Sequence, residues 1–251
     1  MADEIAELFN NSINSDKVIN EESIRELPVL VQKNLLYTQI IGKPRIATVR
    51  LKQKGLFKLK QGQKWIPVTA EQYFTTNPPG FVWRAKVKLN PLLWISGRDM
   101  YYQGKGNMRM KLWSIFKLSD SIGYKLDQGT LLRYLSEIIW FPTAYLSDYI
   151  KWETATADSV KVTMDYGGVS ASAFIYYDEV GRFVKFTADR YMGADDNATL
   201  EKWTVVAQDY KEFNGIRIPV KGEVTWNLPS GDFTWAKLDI TDIEYNNPFR
   251  Y

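Results

Sequence analysis

Residues Thr130–Ile150 read TLLRYLSEIIWFPTAYLSDYI, the most apolar and least loop-like stretch of the sequence. Its apolar residues follow the i, i+3, i+4, i+7 spacing of one helix face, at Leu131, Tyr134, Leu135 and Ile138. Leu132 and Ile139 make the opposite side apolar too, and a helix that is apolar nearly all round is a buried helix. Pro142 cannot donate a helical hydrogen bond, so we expect a break near Phe141 and a second short helix over residues 143–149. The stretch therefore predicts a helical plug, residues 128–150, packed into a curved sheet.

The sequence on both sides of the plug has the two-residue period of β-strands. Apolar residues between Phe81 and Leu89 alternate with polar and basic ones, as in a strand with one buried face. After the plug, hairpin turn signals occur at Gly167-Gly168 and Asn214-Gly215. Too little helix separates the strands for parallel β-α-β units. The sequence therefore predicts an α+β, mostly β fold, in which a strongly curved antiparallel sheet, or half-barrel, carries helices on its concave face.

Residues 1–45 have a helical pattern. Ser23 followed by Glu26 fits a capping box, and the apolar spacing that follows suits a helix ending at Gly42. We expect an N-terminal helical segment over residues 1–27 and a single half-barrel domain over residues 28–251.

The composition excludes several kinds of chemistry. The 251 residues include no Cys and no His, which removes disulfides, thiol nucleophiles, Ser-His catalysis and nearly all zinc sites. We therefore predict no metal, no cofactor and no catalytic residue. The formal net charge of +3 is too small to indicate a nucleic-acid partner.

The N-terminal residues MADEIAELFNNS are acidic and have no apolar signal core. No run of about 18 apolar residues occurs, so no membrane-spanning helix is expected. The sequence as given predicts a soluble, cytoplasmic chain, with a removed export signal or anchor as the open alternative.

A narrow polar stripe on the plug is the main candidate site. Arg133 and Glu137 are four residues apart, so their side chains meet on one helix face. Asp99 and Arg190 follow strand-like segments that could line the concave side, and we expect them to join the pair. Either a structural ion network or a ligand site explains such buried charges. The predicted ligand-binding residues are these four together with Trp140 and Tyr134.

Several blocks of the sequence resemble a prokaryotic domain family of unknown function. The blocks are Gly97-Arg98-Asp99, Arg133–Glu137 (RYLSE), Trp140–Ala144 (WFPTA), Gly215–Pro219 (GIRIP) and Val224-Thr225-Trp226. The resemblance covers about residues 28–246, and the RYLSE-xx-WFPTA block is its most specific part. That family is in turn similar to the LolA/LppX-like half-barrel of lipoprotein carriers. The resemblance implies a strongly curved antiparallel sheet with helices filling its concave side.

We predict non-enzymatic binding of a hydrophobic or lipid-like ligand in the concavity of the half-barrel, with an apolar cavity beside residues 131–146. A peripheral contact with a membrane belongs to the same expectation, whereas the oligomeric state is open. One alternative is a carboxylate-dependent hydrolase that uses Glu137 and Asp99 as acid and base. Another is a scaffold that binds a protein.

Overall fold

The computed structural model describes residues 2–251, whose strands form one antiparallel sheet. The 13 strands are β1 (Thr48–Phe57), β2 (Ile66–Thr76), β3 (Pro79–Asn90), β4 (Leu93–Tyr102), β5 (Lys105–Leu112), β6 (Phe116–Ser121), β7 (Ile150–Thr154), β8 (Ser159–Tyr166), β9 (Val169–Tyr177), β10 (Phe183–Met192), β11 (Thr199–Phe213), β12 (Ile216–Leu228) and β13 (Gly231–Tyr245). Their order is β6-β5-β4-β3-β2-β1-β13-β12-β11-β10-β9-β8-β7, so the strands before and after the plug join where β1 pairs with β13. The sheet curls into the predicted half-barrel, which confirms the fold class.

Four α-helices accompany the sheet in the described part of the chain. They are α1 (Ala2–Asn10), α2 (Glu21–Ile24), α3 (Val29–Tyr37) and α4 (Tyr124–Glu137). Helix α4 continues into two 3₁₀ turns, Ile138–Trp140 and Pro142–Leu146, so the helical segment covers residues 124–146, where the sequence predicted 128–150. The break falls at Phe141 as expected, because Pro142 begins the second turn in the first helical position, where its missing N–H costs nothing. This second segment is a 3₁₀ turn ending at Leu146, not a helix over 143–149.

The N-terminal helical pattern divides differently from the prediction. The capping box is made by Asn20 and Ser23 at the start of α2, not by Ser23 and Glu26. Helix α3 ends at Tyr37, five residues before the expected stop at Gly42. The Thr38 carbonyl accepts a hydrogen bond from the Arg217 amide at 2.9 Å, and Gln39 takes a left-handed φ of 63°. These two features turn the chain toward β12.

The core lies between α4 and the concave face of the sheet. Leu131, Leu132 and Leu135 are fully buried, and each such side chain contributes about 1.5–3 kcal/mol of transfer free energy. Tyr134 lies against the inward-facing rings of Phe74 and Tyr101, on β2 and β4. The helix is therefore solidly packed along most of its circumference.

Two close approaches depend on glycine. A Cβ at Gly106 of β5 would lie 2.5 Å from the Thr130 hydroxyl oxygen and 2.8 Å from the Leu126 carbonyl oxygen of α4. A Cβ at Gly104, in the β4–β5 turn, would lie 2.5 Å from the Cα atom of Gly167 in the β8–β9 turn. The two halves of the sheet thus touch at this end, beside α4.

Helix α1 packs on the opposite face of the sheet from α4. Its buried residues Ile5, Leu8 and Phe9 contact Tyr73 and Val82, which alternate with the inward-facing residues of β2 and β3. The N-terminal helix therefore covers the outer face, whereas α3 and α4 contribute to the main core. No helix within residues 2–251 is long and apolar enough to cross a membrane.

Candidate functional site

The predicted polar stripe of α4 forms an ion cluster with the sheet. The Arg133 guanidinium donates from Nε to Glu137 Oε1 at 3.0 Å and from Nη1 to Asp99 Oδ2 of β4 at 2.6 Å. The three side chains are buried, with exposed fractions of 14% for Arg133, 10% for Glu137 and 2% for Asp99. Arg133 is therefore the shared ion-pair partner of one carboxylate on α4 and one on β4.

Polar and aromatic side chains of β1–β3 complete this cluster. Gln72 Nε2 donates to Glu137 Oε2 at 2.7 Å, and the Arg133 guanidinium lies 4.8 Å from the centre of the Trp83 ring. Trp83 Nε1 donates in turn to Gln53 Oε1 at 2.9 Å. Gln72 and Gln53 were not among the predicted site residues, because their only sequence signal is a polar residue at an inward position of an alternating strand.

Arg190 of β10 approaches the same cluster from the other half of the sheet. Its Nε donates to the Gly129 carbonyl of α4 at 3.0 Å, and its guanidinium lies 4.6 Å from the Trp203 ring centre and 5.6 Å from that of Trp226. It forms no ion pair with any carboxylate that the structure describes. Burial lowers the pKa of Arg190 to about 10, against the attraction of Asp99. Arg190 is thus a cation in aromatic surroundings whose charge lacks a direct partner.

The other two charged groups shift in ways that follow from burial and pairing. Burial raises the pKa of Glu137, and the nearby Arg133 only partly opposes this. Burial would lower the pKa of Arg133, but Glu137 and Asp99 outweigh it and the pKa is raised. The Asp99 and Glu137 carboxylates are both held by one guanidinium and shielded from solvent. The open cleft that acid–base catalysis by this pair requires is not part of this geometry.

Tyr134 and Trp140 lie apart from the ion cluster. The Tyr134 hydroxyl donates to the Thr75 carbonyl at 3.0 Å and contacts the Tyr149 hydroxyl, within the packed core. Trp140 packs edge-on against Phe74. The fold therefore brings together Arg133, Glu137, Asp99 and Arg190, and it gives the two aromatic candidates core positions. Most of residues 131–146, beside which the cavity was expected, are buried among side chains of the main core.

The concave face beyond the ion cluster is apolar and only partly covered. We call this surface the open inner face. Its half-buried apolar side chains share inward-facing register positions on both halves of the sheet; they are Ile66, Ile95, Met192, Val205, Val224, Leu228 and Leu238. Unlike the core around α4, this surface is reached by solvent.

Small residues leave space over the open inner face. A Cβ at Gly97 of β4 would meet only the Trp83 ring, at 3.5 Å, and a Cβ at Gly222 of β12 would meet only the Val206 carbonyl oxygen, at 3.6 Å. Both distances are ordinary van der Waals contacts. Neither glycine needs a left-handed φ, so each marks free volume and not a backbone constraint.

A separate surface cavity of about 630 Å³ lies where α3 approaches the β7–β8 and β9–β10 turns. It is lined by charged groups, including Lys33, Asp158, Asp178 and Arg182, and by none of the predicted site residues. No group of three or more Asp or Glu residues in the described part of the chain could hold a metal ion.

The chain matches one family model and is similar to several solved structures. A model described as a family of unknown function (DUF6544) matches residues 17–238, and no curated protein matches the sequence. One similar solved structure is described as an outer membrane lipoprotein-sorting protein domain from Vibrio parahaemolyticus, with 10% identity, a TM-score of 0.47, and coverage of 81% of this chain and 87% of that one. Another is a LolA superfamily protein from Nitrosomonas europaea, with 11% identity, a TM-score of 0.44, and coverage of 91% and 94%.

Proposed function

This chain belongs to the family of unknown function DUF6544, and we propose that it binds a hydrophobic or lipid-like ligand, without catalysis, in the concavity of its half-barrel. The observation that carries the proposal is the open inner face. Apolar side chains that point into a concave surface and remain half exposed are costly unless a ligand covers them. The glycines at positions 97 and 222 keep that surface free of side chains.

The dimensions of this surface suit an elongated ligand. On β4, the inward positions run from Asp99, at the ion cluster, to Leu93, near the end of the strand. Six residues of an extended strand span about 20 Å. A flexible apolar chain could lie along this length, in contact with both halves of the sheet.

Arg190 is the group best suited to hold the polar end of such a ligand. Its guanidinium is stacked on two Trp rings, and its charge has no direct carboxylate partner among the described residues. An anionic or strongly hydrogen-bond-accepting head would supply the partner that burial makes favourable. Arg133 is less available, because Asp99 and Glu137 already occupy it.

The test of ligand binding uses a variant that fills the free volume. We expect wild type to bind a fluorescent fatty acid, to retain lipid in native mass spectra, and to show quenched Trp fluorescence. Gly97→Leu should abolish these signals while keeping the fold, since its Cβ meets no clash. Thr69→Leu, on the exposed outer face of β2, is the matched control. If Gly97→Leu binds as tightly as Thr69→Leu, the ligand does not lie in the concavity.

A second test concerns the polar end. Arg190→Gln should weaken binding of a long-chain carboxylate by about tenfold or more, because a charge-assisted hydrogen bond contributes about 1.5–3 kcal/mol. The methyl ester of the same chain should lose little, since it carries no charge. Equal losses for the acid and the ester would show that Arg190 maintains the fold of the site and does not read the head group.

A further inference from the structure

Three turns lie together at the end of the half-barrel where the open inner face begins. In an antiparallel meander alternate turns lie at the same end, so the β1–β2, β3–β4 and β5–β6 turns are neighbours. We call residues 58–65, 86–94 and 111–118, which contain these turns and the adjoining strand ends, the basic rim. The Trp113 Nε1 atom donates to the Leu92 carbonyl at 2.8 Å, which joins two of the turns directly.

The basic rim carries charge of one sign. Every charged residue in its three segments is a lysine, and none of them contains Asp or Glu. Lys60, Lys88 and Lys117 are exposed and form no ion pair with the described residues. The chain as a whole has almost balanced charges, with 32 basic and 29 acidic residues, so this local excess is a feature of the rim.

Large apolar side chains project from the tips of the same turns. The exposed fractions are 82% for Leu92, 72% for Ile115 and 58% for Phe116. Trp113 and Ser114 occupy the two central positions of the β5–β6 turn with φ values of 53° and 65°. Asn and Gly are the usual residues at such positions, because a left-handed φ costs them least. Here the strained position presents a Trp beside Phe116, with the ring centres 6.2 Å apart.

We propose that the basic rim docks on the surface of an anionic lipid bilayer, with the apolar tips inserted among the head groups. Lysines near an anionic membrane contribute favourable electrostatic energy, and Trp, Phe and Leu are the side chains that enter the interface. A nucleic acid would match the charge but would offer nothing to cover Leu92 and Ile115. In this orientation the opening of the concavity would point toward the lipid. The docking does not depend on a ligand being bound in the concavity.

A neighbouring turn fixes the direction of docking. Strand β13 pairs with β1, so the β12–β13 turn lies at the same end as the β1–β2 turn, and it carries Asp232. An anionic surface repels this carboxylate. The half-barrel is therefore expected to approach the bilayer tilted, with the β1–β6 side in contact and the β12–β13 side raised.

Vesicle co-flotation tests the electrostatic part. Wild type should float with mixed phosphatidylglycerol–phosphatidylcholine vesicles at low salt, and not with phosphatidylcholine alone. The triple variant Lys60→Gln, Lys88→Gln, Lys117→Gln should bind about 100-fold more weakly, because each basic residue near an anionic surface contributes about fivefold. The control, Lys17→Gln with Lys151→Gln and Lys211→Gln, makes the same charge change at exposed sites away from the rim. Equal losses in both triple variants, or equal binding to both vesicle types, would overturn the proposal.

A labelling experiment tests insertion. The chain has no Cys, so a single introduced thiol can carry an environment-sensitive dye. Dye on Leu92→Cys should shift to the blue when the anionic vesicles are added. Dye on Val180→Cys, an exposed apolar position 59% accessible on the β9–β10 turn, should not. Blue shifts at both sites, or at neither while the protein floats, would show that the rim tips do not enter the bilayer.

Discussion

Arg133 is the residue whose removal should be most costly in this chain. Its guanidinium is the shared ion-pair partner of Asp99 and Glu137, with donor–acceptor distances of 2.6 and 3.0 Å, and the two acids are 2% and 10% exposed. Arg133→Met keeps the length of the apolar stem and removes the charge. It leaves two buried carboxylates without their counter-ion. Breaking one buried pair costs about 3–5 kcal/mol, so we expect a loss in unfolding free energy at or above the upper end of that range.

Replacing Glu137, the helix partner of Arg133, should lower the unfolding free energy by less than Arg133→Met does. In Glu137→Gln the Arg133 guanidinium still holds Asp99, so no buried charge is left alone. The lost interaction is the charge-assisted bond from Arg133 and a weaker bond from Gln72. We expect a loss of about 1.5–3 kcal/mol. The cost of Arg133→Met should therefore exceed that of Glu137→Gln clearly.

Combined variants separate the charge balance from the shape of the site. The double variant Arg133→Met with Glu137→Leu still leaves the buried Asp99 carboxyl without its ion-pair partner, so only part of the stability should return. Adding Asp99→Asn removes the last uncompensated charge, and much of the lost stability should then be recovered. Urea midpoints at constant m-value measure each step. An Arg133→Met loss below about 1 kcal/mol, the size of a surface pair, would refute the buried network.

Three further predictions concern single contacts. Burial raises the folded-state pKa of Glu137 above its ordinary 4.5. The stability of wild type relative to Glu137→Gln should therefore be highest below about pH 4.5 and fall as the pH rises through the folded-state pKa. Urea midpoints at several pH values measure this difference, and a relative stability that rises with pH would contradict the prediction. Gly106→Ala should lower the melting temperature, because its Cβ clashes with the α4 backbone, whereas Gly97→Ala should not. Equal melting temperatures for the two variants would show that β5 does not approach α4 this closely. Thr143→Val should cost about 1–3 kcal/mol of unfolding free energy, because the buried Ile46 N–H loses its 3.0 Å partner, and a neutral effect would show that this N–H finds another acceptor.

The half-barrel and its plug were predictable because each rests on a strong local signal. Alternation along β3 and the apolar residues on both sides of α4 each identify a buried surface without reference to partners. The N-terminal segment was less predictable, since α1 has one apolar face that could pack on either side of the sheet. Its contact with Tyr73 and Val82 depends on the outer face of β2 and β3 being apolar at those positions, which long-range pairing decides.

The site was predictable only in part, for the same reason. A spacing of four residues determines that Arg133 meets Glu137, and the inward positions of strands made Asp99 and Arg190 candidates. Gln72 lies two strands away from Asp99 in the sheet and far from Glu137 in the sequence. No local pattern therefore indicates that Gln72 contacts Glu137. Trp140 and Tyr134 share the helix segment with the ion cluster, but the direction of each side chain takes them into the core.

The same contacts that hold α4 also border the proposed ligand site, and this couples the two. Arg133 ties the helix to β4, and Arg190 ties its Gly129 carbonyl to β10, so α4 bridges the two halves of the sheet. A ligand head that binds Arg190 would strengthen one of these ties while its chain covers the open inner face. Ligand that binds only the folded state raises stability by mass action. The stabilisation by a carboxylate ligand should therefore shrink in Arg190→Gln and persist in variants of the outer face, which makes the thermal shift a readout of the site itself.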